Sequence, residues 1–252
     1  MAKLAVEARR ELADRIIPFW RGLRDDVNGG YIGQVEFDLT RHPEADKGCI
    51  LNSRILWFFS EAYRALGDEA LLPEARHAYE MLKRMTDDVN GGVYWALRAD
   101  GTVADGTKHT YNQGFAIYAL SAYYRASGEA EALARARALF DVVERRCRDA
   151  GGYLEAFTAD WAPESNEKLS ENGVMAGRTM NTLLHILEGY TGLYEAAGDE
   201  AVRDRLYEIL DILEGRIWNP EKRRQEVFFD MDYNSLIDLY SYGHDIDRKS
   251  VV

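Results

Sequence analysis

Apolar residues recur at helical spacing along most of the chain, and two kinds of predicted helix alternate. Residues 50–66 are apolar on nearly every side of the predicted helix, which is typical of a buried helix. Residues 69–86 carry apolar residues on one face and charged residues elsewhere, so we expect an amphipathic helix with one exposed side. The same alternation returns twice, at about 111–127 and 130–148 and at about 178–197 and 200–217.

A short phrase at the end of each apolar helix shows that this alternation is a repeat. It reads Tyr-x-Ala-x-Gly followed by an acidic residue, and its glycines are Gly67, Gly128 and Gly198. The copies lie roughly 60–70 residues apart, which indicates a repeated supersecondary unit. A glycine here ends one helix, and the acidic residue after it is predicted to cap the next helix. The unit is therefore predicted to be a helical hairpin.

The loops that join the hairpins favour a closed ring. Each hairpin follows a glycine turn, such as Asn28-Gly29-Gly30 or Asn90-Gly91-Gly92, and a short β-like run such as residues 31–37. The loop over residues 87–110 is much longer than a stack of helix pairs needs, and long loops in compact domains are often functional. We predict an all-α fold, an α/α toroid with inner apolar helices, outer amphipathic helices and short β-like hairpins in the loops. An open solenoid is the alternative.

The predicted toroid is incomplete in this chain. A first amphipathic helix over residues 4–22 and the three hairpins make seven helices, and a fourth inner helix is expected to begin near Ser241. The last six residues, 247–252, lack an apolar stripe and resemble a translated sequencing adapter. We therefore expect one domain over residues 1–246, a non-native tail, and an unclosed apolar face that favours instability or association.

Composition narrows the class of ligand. The formal net charge of −12 disfavours nucleic acid and anionic membrane surfaces, so a neutral ligand such as a sugar fits better. We find no zinc-ligand spacing, phosphate-binding loop or dinucleotide fingerprint, and expect neither metal nor cofactor.

No stretch approaches the roughly 20 apolar residues of a membrane span, and no apolar signal core is visible. Two cysteines are too few for a disulfide framework. We expect a cytoplasmic protein, either monomeric or a weak homo-oligomer.

The repeat aligns the candidate functional residues. Arg54, Phe115 and His185 each lie thirteen residues before the glycine of their hairpin, near the start of an inner helix. Asn181 precedes His185 by one helical turn. A charged or ionisable group that faces the ring centre is costly unless a polar cavity receives it. His244 stands where the fourth inner helix should begin, so we predict that Arg54, His185 and His244 share a cavity in which imidazoles transfer protons.

Structural roles remain open for these residues. His185 could be a hydrogen-bonded core histidine, Arg54 a member of a buried ion pair, and His244 a loop histidine. Trp57 could be a sugar platform, although its place on a buried helix favours core packing. Asp87 and its neighbour are better explained as turn residues than as a glycosidase pair. A helical-repeat binding scaffold, in which the candidate side chains diverge, is the non-enzymatic alternative.

Five motifs carry a family resemblance, and they are Asn52–Trp57, Lys108–Asn112, Leu169–Gly173, Met180–His185 and Ser241–Ile246. Together they resemble the N-acylglucosamine 2-epimerase family, and within it the members that act on cellobiose, and the resemblance covers residues 4–246. The resemblance implies an (α/α)6 barrel of six hairpins and an isomerase that needs no metal or nucleotide. The family alternatives act on N-acylglucosamine or mannose. An α/α-barrel glycoside hydrolase or lyase would need a carboxylate pair that we do not find.

The resemblance also implies a reaction, epimerisation at C2 of the reducing-end glucose of β-1,4-linked disaccharides. Cellobiose becomes glucosyl-mannose, and lactose becomes epilactose. The sugar ring opens, one histidine removes the C2 proton, a cis-enediolate forms, and a second histidine returns a proton on the other face. A disaccharide is therefore the expected substrate, with a monosaccharide for the family alternatives.

Individual roles follow from the matched motifs. His244 matches one of the two acid/base histidines, His185 the histidine that assists ring opening, and Arg54 the arginine that steadies the enediolate. Asn181 matches a donor of hydrogen bonds to substrate. The second acid/base histidine of the family has no counterpart in this sequence, so we expect this chain to lack epimerase activity. Further candidate substrate contacts are Tyr111 and Trp57.

Overall fold

The computed structural model describes residues 2–166 and 173–244. Most of the motif at Leu169–Gly173 and the predicted tail over residues 247–252 lie outside these described residues. The predictions made for those two segments, and for the course of a fourth inner helix beyond residue 244, therefore stay predictions.

The described helices alternate between buried and amphipathic, as predicted. Helix α5 packs between α3 and α7, and each of these three inner helices packs against the outer helix that follows it. Residues 242–244 are helical, at the predicted start of a fourth inner helix. The inner helices are α3 (Cys49–Leu66), α5 (Thr110–Ser127) and α7 (Met180–Ala197). The outer helices are α4 (Leu72–Arg84, after a 3-10 turn at Glu69–Leu71), α6 (Ala130–Arg146) and α8 (Glu200–Ile212, followed by a π-helical turn at Leu213–Ile217).

The N-terminal helix is segmented. Helix α1 (Ala2–Glu11) passes through a π-helical turn at Leu12–Ile16 into α2 (Ile17–Arg21), which covers almost the whole predicted range of 4–22. Within the described ranges, no helix combines the length and apolar character needed to cross a membrane.

The repeated phrase ends each inner helix as predicted, but one of its three acidic residues does not cap. The glycines are left-handed, with φ of 67°, 73° and 65° at Gly67, Gly128 and Gly198. The carboxylates of Asp68 and Asp199 accept backbone N–H bonds from the first turn of the following helix. The prediction for Glu129 is wrong, because its side chain makes no cap bond and its own N–H donates to Oγ of Ser127.

Helices α5 and α7 approach closely where each carries a glycine. A Cβ added to Gly189 would lie 2.6 Å from the carbonyl oxygen of Gly114, and a Cβ added to Gly114 would lie 2.7 Å from the carbonyl oxygen of His185. Both contacts are with backbone atoms, so no side chain could move aside. This glycine contact therefore allows Phe115, which follows Gly114, to lie against His185.

Short antiparallel strands join neighbouring repeats at the N-terminal ends of the inner helices. Each of three strand pairs links the residues just before an inner helix to the loop of the next repeat, which brings the starts of α3, α5 and α7 together. The pairs are β3 (Lys47–Gly48) with β4 (Ala96–Leu97), β6 (Lys108–His109) with β9 (Ala156–Phe157), and β10 (Arg178–Thr179) with β13 (Phe228–Phe229).

The remaining strands lie within single loops. The predicted β-like run at residues 31–37 contains only one short strand. Strand β5 (Val103–Asp105) extends the sheet of β3 and β4. The other pairs are β1 (Gln34–Val35) with β2 (Arg41–His42), β7 (Arg148–Asp149) with β8 (Gly152–Tyr153), and β11 (Trp218–Asn219) with β12 (Arg224–Gln225).

An ion pair ties each of these helix starts to a glycine turn. The N–O distances are 2.8 Å for Lys47–Asp25, 2.6 Å for Lys108–Asp87 and 2.8 Å for Arg178–Asp149. Burial opposes the ionisation of Asp25, but the backbone N–H of Asn28 and the ammonium of Lys47 outweigh it and lower the pKa of Asp25 to about 2. Asp87 is thus a turn residue, as predicted, and its carboxylate accepts N–H bonds within the turn.

Candidate active site

The starts of the three inner helices and the segment over residues 239–244 enclose a cavity of about 490 Å³. This volume falls within the range of roughly 300–1,000 Å³ typical of small-molecule sites. Arg54, His185 and His244, the three residues predicted to converge, all line it. The other lining residues in the described part of the chain are Ile50, Tyr111, Phe115, Thr179, Asn181, Val227, Phe228, Leu239, Tyr240 and Ser241.

Of the three residues at equivalent repeat positions, Phe115 lies between Arg54 and His185 and contacts both. Cζ of Arg54 lies 4.6 Å from the ring centre of Phe115, and the ring centres of Phe115 and His185 are 4.3 Å apart. The face of an aromatic ring attracts a cation, so Phe115 can hold the guanidinium without a carboxylate. Arg54 is exposed and forms no ion pair with any described residue, so the buried ion pair considered for it is wrong.

Two imidazoles border the same space. The ring centres of His185 and His244 are 6.1 Å apart and the rings are inclined at 73°. His185 is buried, whereas His244 is half-buried and its Nδ1 lies 2.7 Å from Oγ of Ser241. The candidate side chains therefore converge, which is the opposite of what the binding-scaffold alternative predicts.

Two of the three candidate substrate contacts line the cavity, and the third does not. Asn181 and Tyr111 line the cavity, and burial raises the pKa of Tyr111, so its phenol is neutral at physiological pH. Trp57 does not line this cavity, and its contact with a sugar stays a prediction. One helical turn beyond Arg54, Trp57 instead borders a neighbouring cavity of about 460 Å³ and stacks on Tyr118 with ring centres 5.3 Å apart.

Glu155 is a buried residue at this site that the sequence analysis did not identify. Its carboxylate accepts the backbone N–H of Thr179 at 2.6 Å and the hydroxyl of Thr182 at 2.6 Å, which anchors the first turn of α7. Thr179 itself lines the cavity. A single carboxylate inside the apolar run Tyr153–Phe157 was the available signal, and it did not show which helix the carboxylate would meet.

Glu155 makes the stability of the fold depend on pH. Burial raises its pKa from 4.5 to about 7, although the Thr182 and Thr179 hydrogen bonds oppose the shift. A carboxyl whose folded pKa exceeds its unfolded pKa stabilises the fold below the unfolded value, and this contribution is lost as the pH rises to the folded value. We expect the unfolding free energy to fall by about 2 kcal/mol between about pH 5.5 and pH 8.

Urea denaturation of wild type and Glu155→Gln across this pH range measures the effect. The substitution should remove most of the slope, whereas Glu164→Gln, an exposed residue of the same loop, should preserve it. Equal slopes in wild type and Glu155→Gln would show that Glu155 does not titrate in this range.

Comparison with known proteins shows which family this chain belongs to. Residues 30–247 match the N-acylglucosamine 2-epimerase family. The chain belongs to the N-acylglucosamine 2-epimerase family. It is 52% identical to the cellobiose 2-epimerase of Eubacterium cellulosolvens, over an alignment that covers 95% of this chain and 64% of that protein. It is also 52% identical to the cellobiose 2-epimerase of Ruminococcus albus, over 96% of this chain and 62% of that protein.

Family members of known structure confirm the predicted α/α barrel. The crystal structure of a sugar epimerase from a ruminal bacterium superimposes with a TM-score of 0.97 at 50% identity, covering 98% of this chain and 64% of that one. The chain thus spans 62–64% of the length of the N-acylglucosamine 2-epimerase family relatives it matches. The described residues form a partial α/α barrel whose cavity lies at the starts of the inner helices.

Proposed function

We propose that this chain carries part of the active site of an epimerase that acts at C2 of the reducing-end glucose of β-1,4-linked disaccharides. The observation that carries the proposal is the convergence of Arg54, His185 and His244 on one cavity. The names of the two curated relatives, both cellobiose 2-epimerases, support the substrate class. A cytoplasmic location and a monomer or weak homo-oligomer remain part of this proposal.

Ring opening is the first step, and we assign it to His185. A base takes the proton of the C1 hydroxyl, the C1–O5 bond breaks to leave a carbonyl at C1, and O5 receives a proton. The imidazole of His185 can serve as both acceptor and donor because one ring nitrogen can take a proton while the other holds one. Asn181, one turn earlier on α7, can donate a hydrogen bond to a sugar oxygen.

Proton removal at C2 is the second step, and we assign it to His244. When the C2–H bond breaks, its electrons form the C1–C2 double bond and negative charge collects on O1. A cation placed where charge develops stabilises the transition state more than the ground state. Arg54 is the one Lys or Arg side chain that lines the cavity within the described part of the chain, so it suits this role.

Return of a proton to the opposite face of C2 completes epimerisation. The sequence has five histidines, and His42, His77 and His109 do not line the cavity formed by the described residues. We therefore propose that the 252-residue chain removes and replaces the C2 proton on one face only.

Incubation of the purified chain with cellobiose or lactose in D2O, followed by proton NMR, tests the proposal. We expect loss of the C2 proton signal of the reducing-end glucose with no signal from epilactose or glucosyl-mannose, and no exchange with His244→Asn. An unchanged C2 signal in the wild type would contradict the assigned chemistry. Appearance of epilactose would show that a second acid is present. Faster exchange of the C2 proton in N-acetylglucosamine or mannose than in cellobiose or lactose would assign the chain to a different substrate class.

A further inference from the structure

Glu188 lies one helical turn after His185 but outside the cavity that holds the other candidate groups. Its Oε2 is 2.7 Å from Nδ1 of His185, and the two side chains are 21% and 7% exposed. Glu188 borders the neighbouring cavity of about 460 Å³, and His185 borders both cavities. The imidazole therefore has a carboxylate on one side and the proposed sugar position on the other.

The repeat shows that this carboxylate is a departure from the pattern. The residues ten positions before the repeated glycines are Trp57, Tyr118 and Glu188. In the first two hairpins this position holds an aromatic ring, and the two rings stack on each other. The third hairpin has a carboxylate in its place, and it is also the hairpin that has a histidine at the position thirteen residues before the glycine.

The pairing fixes which nitrogen of His185 carries the proton. An ionised carboxylate only accepts hydrogen bonds, so Nδ1 of His185 must be the donor. In the neutral imidazole the lone pair is then on Nε2. Contact with the Phe115 ring, 4.3 Å away between ring centres, further restricts how the imidazole can turn.

We propose that Glu188 is a positioning residue, which holds His185 as its Nδ1–H tautomer and leaves Nε2 to exchange protons with the sugar. The assignment of His185 to ring opening rests on the proposed function, whereas the tautomer does not. During ring opening Nε2 takes the proton of the C1 hydroxyl, and the carboxylate of Glu188, 2.7 Å from Nδ1, stabilises the imidazolium until O5 receives a proton. An ordinary helix-surface ion pair would affect neither the tautomer nor ring opening, since such pairs contribute little even to stability.

Long-range proton–nitrogen NMR correlations of the 15N-labelled 252-residue chain, without sugar, read the tautomer directly. We expect the Nδ1–H form in the wild type and loss of that preference in Glu188→Leu. Glu188→Gln should retain part of it, because its amide oxygen can still accept from Nδ1. Glu195→Leu is the matched control: Glu195 lies two turns further along α7, pairs with Arg125 and does not contact His185. An Nε2–H wild type, or an unchanged tautomer in Glu188→Leu, would overturn the proposal.

The rate at which the α and β anomers of cellobiose interconvert separates this proposal from the proposed function. We expect the wild-type chain to accelerate interconversion, and Glu188→Leu to reduce that acceleration roughly tenfold or more, with partial rescue in Glu188→Gln. If the tautomer changes as expected but the wild type gives no acceleration, the role of His185 in ring opening is wrong and the positioning by Glu188 stands. If Glu188→Leu changes neither quantity in the folded chain, the positioning role is wrong.

Discussion

Substitution of Arg54 by methionine is expected to slow exchange of the C2 proton of cellobiose by roughly 10²–10³-fold, the usual cost of removing one group that stabilises developing negative charge. Methionine keeps an unbranched side chain against Phe115, so the change removes mainly the guanidinium. The sugar binds in its neutral form, and we therefore expect the exchange rate at saturation to fall more than the affinity falls. The exchange rate of Arg54→Lys should lie between those of the wild type and Arg54→Met, because lysine restores a point charge without the planar donors.

Arg64→Met is the control for this substitution. Arg64 lies on the same helix and pairs with Glu61 at 2.8 Å, away from the cavity. Its replacement should leave C2 exchange within about twofold of the wild type, because a surface ion pair contributes little. Equal exchange rates in Arg54→Met and Arg64→Met would remove Arg54 from the mechanism.

Substitution of Gly189 by alanine is expected to lower the free energy of unfolding by about 3 kcal/mol, at the upper end of the usual cost of overpacking a core. The added Cβ would lie 2.6 Å from a backbone oxygen of Gly114, so relief requires α5 and α7 to separate. The gain of roughly 1 kcal/mol in helix propensity from glycine to alanine offsets only part of the cost. Because Phe115 and His185 flank this contact, the separation should also slow C2 exchange.

Gly192→Ala on the same helix provides the matched comparison. Its added Cβ would lie 3.3 Å from a ring atom of Tyr118, a side chain that can shift slightly. We expect this variant to be as stable as the wild type or slightly more stable in urea denaturation. If Gly189→Ala matches Gly192→Ala in stability, the close contact between α5 and α7 is not what fixes the inner helices.

The helices could be predicted from sequence because their signals are local. Apolar periodicity and the repeated glycines place the inner and outer helices within a few residues of their observed bounds, and the equivalence of Arg54 with His185 follows from counting along the repeat. Glu129 shows the limit of such rules. Glu129 holds the capping position of α6, but its side chain makes no cap bond, and its own N–H donates to the hydroxyl of Ser127 two residues earlier.

Interactions between repeats could not be predicted in the same way. Glu155 and the start of α7 are about 24 residues apart, and nothing in the apolar run around Glu155 names its partner. That Trp57 borders the neighbouring cavity could not be predicted, because helical periodicity gives the buried side of α3 but not which cavity a position faces. The pairing of Glu188 with His185 fits a helical spacing of three residues, but this spacing alone does not distinguish an ion pair from a positioning contact.

A crystal structure of the 252-residue chain with cellobiose bound tests the central claim most directly. We predict that O1 of the reducing-end glucose lies within hydrogen-bonding reach, about 3 Å, of the imidazole of His185 and the guanidinium of Arg54, and that C2 lies at a similar distance from the imidazole of His244. Cellobiose stacked instead on Trp57 and Tyr118 in the neighbouring cavity, away from His244, would contradict it.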